Sequence, residues 1–346
     1  MKKNSKLATA TMGLAFIATL TACQDKEGVV RFGHDSFPSS MLLTGDTLQL
    51  PIDDTCIPGA VRVADKGYMV YLYNADCFLA YTDADFTSAT KLAVRGHGDG
   101  EVAGVSGAFG QAVGDDALMS VFDPTSCKVY GWNTTSGNKL KDVLTLPEGM
   151  VKYAPLSVLR MKSGKYIATR GDFQYGIVCY DPATGTTTEW PLGVVEAYRE
   201  HPDNNHVSLR DMSYCESQGV IAEIYGGFPT ALLHDESGEV IKTLTFDGFH
   251  AEAQQDEQAD CFKSVCLTDN YIWLLYKGSE NTERKDDYDH VFVLKHNGKP
   301  VADFQIPPTS TMEIDPQRRL ILTADPNDDV APLRRYQIPE SVIPEC

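Results

Sequence analysis

One unit recurs through the chain: a β-rich run ends in an Asp, Asn or His turn carrying a glycine, and a second short strand leaves it. The clearest copies are YGWNTTSGNKLKDVLTLP at 130–147, VCYDPATGTTTEWPL at 178–192, LLHDESGEVIKTLTF at 232–246 and VLKHNGKPVADFQIP at 293–307. Their turn residues Asn133, Asp181, Asp235 and His296 follow one another at intervals of 48, 54 and 61. A period of about 45–50 residues is the size of a four-stranded propeller blade. An earlier hairpin accompanies each unit, at 60–74, 108–123, 157–171, 212–227, 263–278 and 312–325. β-branched and aromatic residues fill these hairpins, and no amphipathic helix of useful length interrupts them. Six hairpins predict six blades.

The ends predict how the ring closes. After the last hairpin comes one more strand-like run, LRRYQI at 333–338, and TLQLP at 47–51 precedes the first hairpin. Pairing of these N-terminal and C-terminal strands closes the ring and removes exposed sheet edges. The expected architecture is therefore all-β, a single six-bladed β-propeller over 44–340 with a tail at 341–346. Seven blades are the second choice, with the extra strands hidden in the long unit around 250–305.

The N-terminus carries an address. MKKNSK is followed by the mostly apolar LATATMGLAFIATL, 14 residues and so shorter than the ~20 that span a bilayer. Leu20-Thr21-Ala22-Cys23 then resembles a bacterial lipobox, which implies a signal peptide over 1–22, cleavage before Cys23 and lipidation of that residue. Gln24-Asp25-Lys26-Glu27 resembles the acidic export tag of Bacteroidetes surface lipoproteins. Residues 23–43 are expected as a lipidated tether and the membrane as a partner through the lipid. The protein is placed at the outer membrane, the cell surface slightly ahead of the periplasmic face.

Charge narrows the partners. Asp plus Glu number 48 against 30 Lys plus Arg, a net charge of −18. Such a surface repels phosphate backbones, so no nucleic-acid partner is expected. Of nine cysteines, Cys23 belongs to the lipobox and most others sit in apolar, strand-like runs, where a thiol behaves as a small core residue. Cys56 with Cys77 is the one pair worth testing for a disulfide. There is no CxxC, HExxH or GxSxG.

Several polar groups stand out against this frame. In RGHGDGE, glycines alternate with Arg95, His97, Asp99 and Glu101, which could present an imidazole and two carboxylates to a cation, or simply form an interblade connection. Arg170 and Asp172 fall at a strand end, and Arg210 and Asp211 at the entry to an innermost strand. Arg flanked by Asp can clamp a carboxylate or hydroxylated ligand, or form an interblade salt bridge on the channel wall. These eight are the candidate channel or ligand-face residues.

HNGKPVADFQIP, TSTMEIDPQRRLILTAD and LRRYQIP resemble the closing blades of the TolB-like six-bladed propeller lipoproteins of Bacteroidetes. RGHGDGEV at 95–102 resembles that family's glycine-rich G-x-G-P-G-E stretch, with Asp99 where proline is commoner. The resemblance implies the fold and the location but no reaction. The function expected is a non-enzymatic module, lipid-anchored in the cell envelope, that binds a small molecule, glycan, peptide or outer-membrane partner. The alternative is a propeller hydrolase or lactonase with a divalent cation, the one cofactor considered, held in the central channel by acids or amides from several blades.

Overall fold

In the computed structural model the described residues are 28–52, 56–96, 98, 101–105, 119–133, 137, 139–171, 176–190, 209–225, 229–247, 261–277 and 288–346. Three short strands lead, β1 (Val29–Phe32), β2 (Ser40–Leu42) and β3 (Gly45–Thr47). Six antiparallel blades follow. Blade 1 holds β4 (Ile57–Ala64), β5 (Gly67–Tyr73), β6 (Cys77–Asp83) and β7 (Ala89–Val94). Blade 2 shows three described strands, β8 (Met119–Asp123), β9 (Lys128–Trp132) and β10 (Lys141–Thr145). Blade 3 is β11 (Val158–Arg160), β12 (Tyr166–Thr169), β13 (Ile177–Asp181) and β14 (Thr186–Glu189).

Blade 4 runs through β15 (Leu209–Cys215), β16 (Val220–Tyr225), β17 (Thr230–Asp235) and β18 (Val240–Phe246). Blade 5 is β19 (Phe262–Leu267), β20 (Tyr271–Tyr276), β21 (Asp289–Lys295) and β22 (Pro300–Ile306). Blade 6 has β23 (Thr311–Asp315), β24 (Leu320–Ala324) and β25 (Leu333–Gln337), and β3 joins it as the fourth strand. The all-β, six-bladed expectation holds, and the long unit around 250–305 adds no seventh sheet among the described residues.

The turns form where side chains replace backbone partners. The Asp181 carboxylate accepts the N–H of Ala183 at 2.9 Å, and Asp235 accepts those of Ser237 and Glu239 at 2.8 and 3.0 Å. These are Asx turns, in which the side chain takes the place of a backbone turn partner. Packing then joins the blades. Six apolar clusters lie one at each blade-to-blade interface, including the one that welds blade 6 to blade 1 through Leu322, Ala324 and Leu333 against Val61, Tyr68 and Leu72. Cys77 is buried in that cluster and Cys56 packs against it, so the two cysteines singled out as a pair share one apolar environment.

The structure differs from expectation at the N-terminal end. Closure uses Gly45–Thr47, a little upstream of 47–51: Tyr336 pairs with Gly45, Arg335 with Asp46 and Arg334 with Thr47. The Leu48 N–H extends the ladder to the Leu333 carbonyl at 2.9 Å, and the Leu48 side chain enters the blade 6–blade 1 cluster. The tether expected over 23–43 is largely docked. β1 runs parallel to β18 as a fifth strand of blade 4, and β2 runs parallel to β22 as a fifth strand of blade 5. Phe32 and Phe37 hold this strap by packing into the cluster between those blades. The tail at 341–346 is docked too, with Ile343 buried and the Glu345 carbonyl bonded to Asn270 at 3.0 Å. Cys23 and the rest of 1–27 lie outside the described residues, as does most of the 108–123 hairpin.

Candidate functional site

The innermost strands of a propeller present one unpaired edge to the central tunnel, so their N–H groups need partners from outside the sheet. Here side chains from neighbouring blades supply them, at one level of the tunnel. Asp211 on β15 accepts the Val265 N–H at 3.1 Å and the Ser264 hydroxyl at 2.8 Å, both on β19. The Ser213 hydroxyl takes the Leu267 N–H at 3.0 Å. Glu313 on β23 does for blade 1 what Asp211 does for blade 5, accepting the Val63 N–H at 3.2 Å. A belt of acceptors thus laces blades 4, 5, 6 and 1 together.

Arg62 on β4 completes the belt. Its Nη1 lies 3.3 Å from Glu313 Oε2 and donates to the Met312 carbonyl at 3.2 Å, and its Nη2 stands 3.9 Å from Asp211 Oδ1. The small remaining exposure of the Arg62 and Glu313 side chains, 16% and 15%, faces the tunnel. Burial pushes the Glu313 carboxyl up to about 7, with Arg62 pulling it back and Asp211 pushing it further up. Burial opposes the charge on Arg62, but Glu313 and Asp211 more than offset it and hold the guanidinium above its usual value. Burial, aided by Glu313, also pushes the Cys266 thiol beside them well up, which leaves it a poor nucleophile.

Above this belt is a cavity of about 300 Å³, lined by Arg62, Asp211, Glu313, Tyr214, Asp269 and Asn270 with apolar side chains between them. It opens on the face formed by the first hairpin of each blade, where Asp269 and Asn270 sit in the β19–β20 turn. Three carboxylates against one guanidinium make an acceptor-rich wall. The guanidinium occupies the neutralising place between Asp211 and Glu313 that a divalent cation in this channel would need.

Of the residues expected from sequence, the tunnel receives Asp211. A bulge puts it there: Leu209 pairs with Tyr225 and Asp211 with Ile224, so Arg210 is the extra residue and the alternation shifts by one. β4 and β19 carry similar bulges, at Pro58/Ala60 and Phe262/Ser264. Arg170 is placed elsewhere. Its guanidinium stacks on the Tyr153 ring at 4.5 Å and pairs at 2.8 Å with Glu189, on the outermost strand of blade 3. Arg95 lies 3.7 Å over the Phe78 ring and donates to the Leu72 carbonyl, and Glu101 folds back to accept the Gly98 N–H at 2.8 Å. The described residues of that stretch thus bond to one another and to blade 1. His97, Asp99 and Asp172 lie outside the described residues.

Sequence reasoning missed Arg62 and Glu313. Each sits in an ordinary hairpin, RVADKG and MEIDPQ, and they meet only across the closed ring, 251 residues apart. Their one local signal is a charge at a strand position flanked by apolar residues, Val61 and Val63 or Met312 and Ile314.

No protein-family profile and no curated protein matches the chain. Solved structures match its fold. An exported-class protein of Bacteroides fragilis superposes with a TM-score of 0.57 at 12% identity, over 89% of this chain and 98% of that one. A DUF4221 family member from Bacteroides vulgatus gives 0.56 at 9% identity, over 86% and 98%. A gluconolactonase from Xanthomonas campestris gives 0.52 at 11% identity, over 85% and 90%. At such identities the likeness carries the propeller fold and nothing finer.

Proposed function

We propose that this protein is a lipid-anchored, extracytoplasmic propeller that binds a small, hydroxyl-rich ligand in its central tunnel without catalysing a reaction. The observation that carries the binding role is the acceptor-rich cavity of about 300 Å³ over the Arg62–Asp211–Glu313 belt. Its volume is at the lower end of small-molecule sites, which run from about 300 to 1,000 Å³. The excess of carboxylates favours neutral or cationic donors over anions. The belt's own hydrogen bonds keep Asp211 and Glu313 engaged, so they read a ligand's hydroxyls through spare lone pairs and do not need to move a proton.

The divalent-cation hydrolase is less well supported, because Arg62 already neutralises the acids that would hold the ion. Export and anchoring rest on the signal-type segment 1–22 and on Cys23 at the end of the lipobox-like run. Membership of the TolB-like lipoproteins is proposed on the same residues.

A thermal-shift screen tests the reading. Sugars and other neutral polyols are expected to raise the melting temperature, because a ligand held only by the native state stabilises it by mass action. Asn270→Ala, at the mouth, is expected to weaken that shift, while the loss of its exposed bond to the Glu345 carbonyl lowers the ligand-free melting temperature by a few degrees at most. Shifts confined to organic acids would overturn the proposal, and a divalent-metal shift that is lost with EDTA, persists in His34→Ala and comes with no polyol shift would favour the hydrolase.

A further inference from the structure

The strap crosses from blade 4 to blade 5 through a short turn, His34–Ser36, between β1 and β2. This turn delivers His34 onto two buried groups of blade 5. His34 Nδ1 stands 3.2 Å from Asp303 Oδ2, and His290 Nδ1 stands 2.8 Å from Asp303 Oδ1. The two imidazoles are neighbours, ring centroids 4.6 Å apart and tilted by 56°. One donor atom from each of the three residues lies within 4.8 Å of the other two. Neither the tunnel nor the polar belt uses any of them.

We propose that His34, His290 and Asp303 form a binding site for a divalent transition-metal ion, with zinc the best match, and that the ion staples the N-terminal strap to the propeller. Two imidazole nitrogens and one carboxylate oxygen are the donor set of a three-ligand zinc site that keeps a fourth position for water. Imidazole also suits copper and nickel, whereas calcium and magnesium require several oxygens and find only one carboxylate here. Asp303 is buried, at 2% exposure, which gives the site a fixed anionic floor. His34 is 46% exposed, which gives an ion a route in from solvent. Around the donors, Phe246, Phe292 and Tyr276 make an aromatic wall that holds the imidazoles in place and limits water. The Asp303 N–H donates to the Ser39 carbonyl at 2.9 Å, so the strap's backbone is already in register with the ligand it would share. Because His34 belongs to the strap and the other two belong to blade 5, binding adds a link to a strap otherwise held by two short parallel pairings, the Arg31–Asp247 ion pair and apolar side chains such as Phe32 and Phe37.

The test uses the whole chain, stripped with EDTA and titrated with zinc by calorimetry and with cobalt(II) by visible absorption. One zinc per chain is expected, with cobalt giving the intense d–d bands of a four-coordinate N/O site. Calcium in excess should not compete. His34→Ala removes a half-exposed side chain and leaves the core intact, and it should weaken zinc binding by more than about tenfold. Asp303→Asn should do the same, and His34→Gln serves as the check if that buried variant does not fold. Zinc should also slow hydrogen exchange of the strap amides between Val29 and Leu42 in the wild type and not in His34→Ala. Absence of stoichiometric zinc binding would overturn the proposal. So would equal zinc affinity in His34→Ala, or a cobalt spectrum dominated by sulfur charge transfer, either of which assigns the metal to other residues.

Discussion

Glu313 shows how one buried carboxyl links the tunnel to pH. Its folded-state value of about 7 exceeds the ordinary 4.5, so the fold favours the protonated form. The contribution of this group is therefore fully present below about pH 4.5 and is lost as pH rises through about 7. A tenfold change in proton affinity is worth about 1.4 kcal/mol, which bounds the effect at roughly 3 kcal/mol. Glu313→Gln keeps an acceptor for the Val63 N–H but cannot ionise. Urea denaturation at pH 5 and pH 8 should show the wild type losing more stability than the variant over that interval. An identical pH dependence in the two proteins would falsify the assignment. None of this was legible in the sequence, because MEID reads as an ordinary strand and its partner Arg62 is remote. Asp211 was legible as a polar residue at a strand entry, but the bulge at Arg210 that turns it into the tunnel depends on pairing with β16.

At the scale of elements, the hairpins were readable because turn chemistry is local: Asp181, Asp235 and the glycines that follow them mark each reversal within a few residues. The strap was not. β1 and β2 are short and pair in parallel through backbone groups, and their partners β18 and β22 lie some two hundred and more residues away. The closing strand was found only approximately, since what fixes its register is a contact no local pattern encodes. A Cβ on Gly45 would overlap the Tyr336 ring and crowd the Arg335 carbonyl. Gly45→Ala should therefore loosen the closure and cost about 1–3 kcal/mol, the usual effect of overpacking. Gly33→Ala is the matched control, because Gly33 has an extended backbone and open space where its Cβ would go. It should change stability by less than about 0.5 kcal/mol. Comparable losses in the two variants would mean that the Gly45–Tyr336 contact does not set the register.

For the whole molecule, the docked strap changes how a lipid at Cys23 would present the propeller. A free tether over 23–43 could extend about 70 Å at roughly 3.5 Å per residue, enough for the body to tumble well clear of a membrane. With the strap bound from Gly28 onward, only the steps from Cys23 to Gly28 remain, and these reach no more than about 18 Å. The Gly28 carbonyl accepts the Thr243 N–H at 2.8 Å, which pins that end to the outer strand of blade 4. On the proposed anchoring, the outer edge of blade 4 then stays close to the lipid surface while blade 6, two places round the ring, does not have to. Ile241 is exposed and adjoins Gly28, and Val330 is exposed in blade 6, so the two make a matched pair of probe sites. A dye placed at each in turn, on the lipidated chain in vesicles containing a lipid-borne quencher, should be quenched more strongly at 241 than at 330. The difference should vanish when Phe32 and Phe37 are both changed to Ser, because the strap then detaches and the long tether returns. Equal quenching in the unaltered chain would show that the strap does not orient the propeller, and membrane association that persists in Cys23→Ser would show that the lipid is not what holds it there.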